Sequence, residues 1–350
     1  MYFIDLKNKI PSQDEIQNIL NDIYLQKGLP QTIEALEKIE LELGYLKEEM
    51  FGMKDEFIFF DKEFNLNFRL QINYVRNNYK PVPLSPNLHC PICYENIGTK
   101  GKEYLRVFKF LLNNREVFIQ LTPFPLFRHH YVLIEMEKNP MRMDKNSIID
   151  LIEFLNKTDE SFVCCSNSDV EWAGASILKH HHYQIFKDLD LPVFHAKFLL
   201  QNEYNDFKIE ILNYPIAVVK IISPIKERII NIGGEIIEKW KNIFPGQNTC
   251  NLILKKLSNN YQCYIFLRNP NYRTSTKWQQ FKSEGVGIIE VSGEIILPVP
   301  DSEEKKNFIK NNGLEIIKGI ISSNSPFEKN EYKQIYHDLI GFKTGEKNDY

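Results

Sequence analysis

The sequence has no apolar run of membrane-spanning length, and its first residues, Met1 to Lys9, carry acidic Asp5 and no signal-peptide core. These absences predict a cytoplasmic protein with no membrane partner. Charge of one sign is also lacking. The net charge is -3 over 350 residues, and Lys and Arg are scattered rather than striped, which excludes the electrostatic footprint of a nucleic-acid binder. Cysteine is too sparse for a secreted disulfide framework, with six in the chain. Cys164, Cys165, Cys250 and Cys263 lie on apolar strand-like patterns and read as buried thiols. Cys90 and Cys93 form a CxxC, for which metal ligation is the better reading than redox chemistry because no thioredoxin-like βαβ pattern surrounds it. What remains is ordinary globular material, 43% hydrophobic and 25% charged, long enough for one large or two moderate domains.

The most informative stretch is Gly174 to Gln184, which carries His180, His181 and His182 followed by Tyr183 and Gln184. On an extended strand, alternation sends His180, His182 and Gln184 to one face and His181 and Tyr183 to the other. One face then holds two imidazoles and a primary amide. Imidazole can ligate a metal, accept a proton or attack phosphorus, and an amide can donate to a phosphoryl oxygen without adding charge. The pattern suits nucleotidyl transfer through a covalent imidazole intermediate; the plainer alternative is an adventitious metal-binding tract. The run is internal and precedes apolar Ile185 and Phe186, so it is not a tag.

Ser166-Asn167-x-Asp169 together with Gly174-Ala175-Ser176-Ile177-Leu178-Lys179-His180-His181-His182-Tyr183-Gln184 resembles the active-site segment of the galactose-1-phosphate uridylyltransferase family, nearest its second bacterial class. It is also similar to the related GDP-hexose phosphorylases, within the histidine-triad (HIT) superfamily. The resemblance implies an α+β fold of tandem HIT-like units, antiparallel sheets flanked by helices, and an N-terminal helical extension. It implies His182 as nucleophile, with Gln184 and Ser176 on the phosphoryl oxygens and Asn73, Arg76 and Asn167 lining the nucleotide site. Leu121 to Ile134 resembles the superfamily's strand-turn-strand, which by register sets His130, with His129 beside it, in the place of a metal ligand. A structural Zn2+ would then be closed by Cys90, Cys93, His130 and His180. Tyr264 to Arg268 and Ile289 to Gly293 resemble the C-terminal unit of the phosphorylases, and Arg268 is a basic residue suited to a sugar phosphate. The chain departs from the second bacterial class after Gln184, where Ile185-Phe186-Lys187 stands in place of glycines.

Periodicity from Ser12 to Leu46, broken at Gly28-Leu29-Pro30, predicts a helical extension that covers the core or pairs two copies as a homodimer. Strands are predicted at 57–60, 68–75, 162–165 and 214–222, helices at 144–155, 224–240 and 303–321, a hairpin at 249–269, and a further strand pair at 285–297. These divide the chain into an extension (1–55), a catalytic unit with the zinc site (56–200) and a second unit without the His motif (201–350). The expected activity is transfer of a nucleoside monophosphate from a nucleotide sugar to a sugar 1-phosphate. Inorganic phosphate as acceptor would make a phosphorylase and water a hydrolase, and from another class a non-catalytic nucleotide-binding protein fits the same motif.

Overall fold

The computed structural model describes residues 10–75 and 90–340. Arg76 lies outside the described residues. Two helices open the chain, α1 (Gln13–Lys27) and α2 (Leu29–Leu43). Ser12 and Glu15 close a reciprocal cap on α1, and Gly28, at φ +83°, ends α1 and starts α2 with Pro30 in its first turn. Ile16, Leu20, Ile33 and Leu36 are buried, each contributing roughly 2 kcal/mol on removal from water.

The strands follow as β1 (Lys54–Asp61), β2 (Leu66–Asn73), β3 (Phe108–Leu112), β4 (Arg115–Leu121), β5 (His130–Glu135), β6 (Phe162–Ser166), β7 (His182–Lys187), β8 (Phe198–Glu203), β9 (Lys208–Leu212), β10 (Val218–Ser223), β11 (Thr249–Leu257), β12 (Asn260–Arg268) and β13 (Glu294–Leu297). Helix α3 (Lys145–Asn156) precedes β6 and α4 (Lys226–Ile243) precedes β11; short α5 (Thr276–Gln279) and α6 (Ile288–Val291), long α7 (Glu303–Ser323) and α8 (Tyr332–Ile340) complete the fold. The predicted strand pair at 285–297 is instead α6 and β13. The apolar run Ile288–Val291 is buried as one helical turn held by the Glu290 carboxylate on the Gly287 N–H, and only β13 pairs, in parallel with β2. No helix among the described residues is long and apolar enough to cross a membrane.

Ten strands form one antiparallel sheet in the order β3-β4-β5-β7-β6-β11-β12-β10-β9-β8. Read inward from either edge, each half has the same sequence of strands: a meander of three, a helix, and two strands inserted in reversed order. The halves are therefore two copies of one topology joined at β6 and β11, with Cys165 opposite Ile253. In the second copy the last two strands are a hairpin whose turn residues Ser258 and Asn259 both take positive φ.

Alternation along the strands sorts the core. Cys164, Tyr183, Ile185, Leu252 and Leu254 point to the back face, where α1 to α4 and α8 pack. Cys165, Phe186, Ile253 and Tyr264 point to the front, covered by β1, β2, β13 and α7. A smaller front cluster gathers Cys90, Cys93, Val107, Phe118 and Ile134.

Glu40 of α2 is fully buried, its carboxylate oxygen 2.8 Å from the Arg106 N–H. Burial raises its carboxyl well above the usual range. The folded chain thus keeps a proton that the unfolded chain releases above about 4.5, so stability from this group is lost as pH rises from that value. Glu40→Gln, which imitates the protonated form, is expected to raise the urea midpoint at pH 7 by the equivalent of about 1 kcal/mol or more and to leave it unchanged at pH 4. Equal midpoints at pH 7 would contradict the assignment.

Candidate functional site

Strand β7 begins at His182, yet the alternation extends back through the histidines: the Glu135 N–H donates to the His181 carbonyl at 3.2 Å and the His181 N–H to the Asn139 carbonyl at 2.7 Å. His182 faces Ile134 of β5 in the ladder, and Gln184 lies between Val132 and Cys165. His180, His182 and Gln184 share the front face, while His181 and Tyr183 stand edge to face behind the sheet, ring centroids 4.7 Å apart.

His182 is 8% exposed. Its Nδ1 lies 2.8 Å from the backbone carbonyl oxygen of His180. A carbonyl only accepts, so Nδ1 carries the proton and Nε2 keeps the lone pair. Burial, aided by nearby His180, pulls the His182 pKa below its ordinary value, so the ring is neutral at pH 7. Two residues on, the Gln184 side-chain oxygen is buried with no hydrogen-bond partner. An acceptor left unmatched there calls for a donor, while the amide's NH2 is the part that could donate to a ligand oxygen. Ser176 is exposed on the loop that leads to His180.

His180 is held at both ring nitrogens. Its Nε2 lies 2.7 Å from the Glu135 carbonyl oxygen and donates to it, which leaves the Nδ1 lone pair facing the Cys90 and Cys93 sulfurs at 3.1 and 3.5 Å. The sulfurs are 2.7 Å apart, and both cysteines are free. Burial would raise the Cys90 thiol, but hydrogen bonds with His180 and Cys93 bring it below its usual value; Cys93 is pushed up to about 12 by burial and by Cys90. Cys90, Cys93 and His180 form a group that could hold a metal ion.

His130 does not join them. It stands at the opposite end of β5, facing Phe186, with its ring stacked on Phe186 at 4.3 Å and its Nδ1 accepting from the Leu126 N–H at 3.3 Å. Five residues of extended strand put it ~17 Å from the Glu135 carbonyl that anchors His180. His129 is turned to Glu37 of α2, 2.9 Å away. The expected four-ligand closure is thus corrected to three ligands among the described residues.

The remaining predicted residues separate. Asn167, just past β6, accepts the Ile288 N–H at 3.1 Å, so it ties the end of β6 to α6. Arg268 is wholly enclosed: it donates to the Asn251 side chain at 2.6 Å, the Val286 carbonyl at 2.9 Å and the Asn324 side chain at 2.9 Å, and burial lowers its pKa to about 9. It braces Asn251, which donates to the Asn167 and Ala173 carbonyls, rather than facing a ligand. Asn73 is buried at the end of β2, accepting from the Val75 N–H at 3.0 Å. A cleft of about 610 Å³ against α7, lined by Phe59, Trp278 and Lys318 among others, contains none of these residues. Sequence reasoning missed Glu135 and Asn139, whose backbone carbonyls fix the histidine run; backbone partners leave no mark in residue type.

No protein-family model matches the chain. It is 22% identical to the galactose-1-phosphate uridylyltransferase of Caldanaerobacter subterraneus subsp. tengcongensis, over 93% of this chain and 68% of that protein. It is 28% identical to the enzyme of that name from Clostridium acetobutylicum, over 70% of this chain and 55% of the relative. A third, galactose-1-phosphate uridylyltransferase 1 of Streptococcus pneumoniae, is 24% identical over 83% of this chain and 67% of its own length. The chain thus spans between 55% and 68% of the length of these relatives. Among solved structures, yeast Ap4A phosphorylase Apa2 is similar at a TM-score of 0.53 and 12% identity, over 91% of this chain and 96% of that one. Its complex with Ap4A is similar at 0.56 and 13%, over 83% and 94%. These structures share the α+β fold.

The loop into the histidines depends on Gly174, at φ +94°, where an added Cβ would lie 2.2 Å from the Gly287 Cα. Neither backbone can yield without moving Asn167 or α6. Gly174→Ala is expected to lower stability by ~3 kcal/mol or more, from backbone overlap and positive φ together. A loss under ~1 kcal/mol in chemical denaturation would show that the two loops are not locked.

Proposed function

We propose that the protein is a nucleotidyltransferase that moves a nucleoside monophosphate from a nucleotide sugar to a sugar 1-phosphate through a covalent nucleotidyl-histidine on His182, in the manner of a hexose-1-phosphate uridylyltransferase. The observation that carries this reading is the tautomer of His182: Nδ1 is committed to a carbonyl, so Nε2 holds the lone pair that attacks, and the Gln184 amide, whose NH2 can donate, lies on the same face. The names of the curated relatives agree with it.

In the first step Nε2 attacks the α-phosphorus, a P–N bond forms, and the bond to the sugar 1-phosphate oxygen breaks with its electron pair leaving on that oxygen. The ring becomes cationic while Nδ1 keeps its proton, and the His180 carbonyl oxygen stabilises the charge. Gln184 and Ser176 would donate to non-bridging oxygens, and Asn167 would meet the nucleotide. In the second step a phosphate oxygen of the acceptor sugar 1-phosphate attacks the same phosphorus, the P–N bond breaks, and the imidazole recovers its lone pair. Two displacements at one centre give ping-pong kinetics and net retention at phosphorus. With inorganic phosphate as acceptor the same steps make a phosphorylase; the likeness of fold to a solved phosphorylase favours keeping that reading second.

For the metal group, two thiols and one imidazole nitrogen suit Zn2+, and His180 meets its demand because Nε2 already donates elsewhere. Bound there, the ion would supply structural cross-linking of residues 90–93 to the strand that carries His182. Replacing Cys90 or Cys93 with Ser is expected to abolish stoichiometric zinc in elemental analysis and to cost ~2–4 kcal/mol of stability, with less than about tenfold change in turnover per folded molecule. Metal-free wild-type protein of full stability would refute the zinc assignment.

Incubation with UDP-glucose labelled at the α-phosphate is expected to leave acid-labile, base-stable label on the wild-type protein. His182→Gly should show none, and Gln184→Ala should label ~10²-fold more slowly, the scale for removing one oxyanion donor. Undiminished labelling of His182→Gly would end the proposal.

A further inference from the structure

Behind the sheet, on the face opposite His182, two buried acidic side chains meet two partly exposed arginines in one cluster. Asp150 of α3 and Glu135 of β5 are 2% and 5% exposed. Arg142 bridges them at 2.9 and 2.6 Å, and Arg115 pairs with both. Asn113 donates to Asp150 at 3.0 Å and Asn139 to Glu135 at 3.0 Å. The Tyr183 hydroxyl donates to Asp150 at 2.9 Å. Arg115 and Asn113 use one Asp150 oxygen, Arg142 and Tyr183 the other, so all four lone-pair positions of that carboxylate are filled.

The cluster reaches both chain neighbours of His182. Tyr183 is bonded to it directly. His181 accepts the Arg142 N–H at Nδ1, 3.3 Å away, and the His181 backbone N–H is held by Asn139. Glu135 lends its side chain to the cluster and its carbonyl to His180. The three ligand atoms of Glu135, Asp150 and His181 lie within 4.8 Å of one another, a spacing a cation could use. The tautomer argues otherwise: with Nδ1 accepting from Arg142, Nε2 carries the proton and has no lone pair for a metal, and both carboxylates already answer two guanidinium groups.

We infer that Asp150 is a positioning residue for His182, acting through Tyr183 to fix the pitch of β7 from the rear and so the aim of Nε2 at the α-phosphorus. The inference rests on His182 being the nucleophile. Rotation of a strand about its own axis moves side chains on both faces together, so pinning 181 and 183 on one side determines where 182 points on the other. A near-attack geometry tolerates little error, and small misplacement is costly in rate.

The test compares two hydroxyl deletions. Tyr183→Phe removes the bond to Asp150. Tyr131→Phe removes a hydroxyl equally buried on the same face of β5, whose partner is Glu37 of α2. Single-turnover labelling with α-phosphate-labelled UDP-glucose is measured by rapid quench at several concentrations, with thermal unfolding of each protein. Tyr183→Phe is expected to lower the maximal labelling rate by about tenfold or more with the half-saturating concentration unchanged, whereas Tyr131→Phe should lose comparable thermal stability and label at the wild-type rate. Asp150→Asn, which presents an N–H to donors, should be slower again. A wild-type rate in Tyr183→Phe, or equal slowing in Tyr131→Phe, overturns the positioning role while leaving the nucleophile intact. Failure of the wild-type protein to take label overturns the nucleophile and this role together.

Discussion

The proton on Nδ1 of His182 is fixed by a backbone carbonyl two residues earlier, and most of the molecule can be understood as keeping that carbonyl in place. His180 supplies it, and His180 cannot turn: one ring nitrogen is tied to the Glu135 carbonyl and the other faces two sulfurs. A side-chain partner in the same role could swing away or change protonation. A backbone oxygen can do neither, so the tautomer is set by the main chain itself.

Strand alternation then divides labour between two faces. The front carries the His182 imidazole and the Gln184 amide. The rear carries charge, with two guanidinium groups and two carboxylates packed where a hydrophobic cluster would be expected. Such a cluster is a poor source of stability, because desolvation offsets much of the attraction, but it holds a single arrangement. Burial would raise Glu135, yet Arg142 and Asn139 keep it below the usual carboxylate value, so the charged form persists.

Much of this was legible in the residues. The two N-terminal helices, the break at Gly28, the β11–β12 hairpin and the two-faced histidine strand all follow from periodicity and turn chemistry, since each is a local property. Cys90, Cys93 and His180 come together as the resemblance implied. His130 does not, because ladder register is a tertiary quantity and a motif on one strand does not state where its partner begins. By residue type Arg268 suits a sugar phosphate, but residue type does not state burial; here three neutral oxygens enclose it. The segment 285–297 carried strand-forming residues and became α6 in part, since burial on all sides suits an apolar turn as well as a strand.

The half without the His-x-His-x-Gln motif is joined to the other by the β6–β11 ladder, as one continuous sheet. Expressed apart, either half would present a flat, apolar strand with a full row of unsatisfied amide and carbonyl groups, the template on which chains stack into insoluble assemblies. Pairing β6 with β11 covers both edges at once, so each half acts as a permanently bound chaperone for the other's strand.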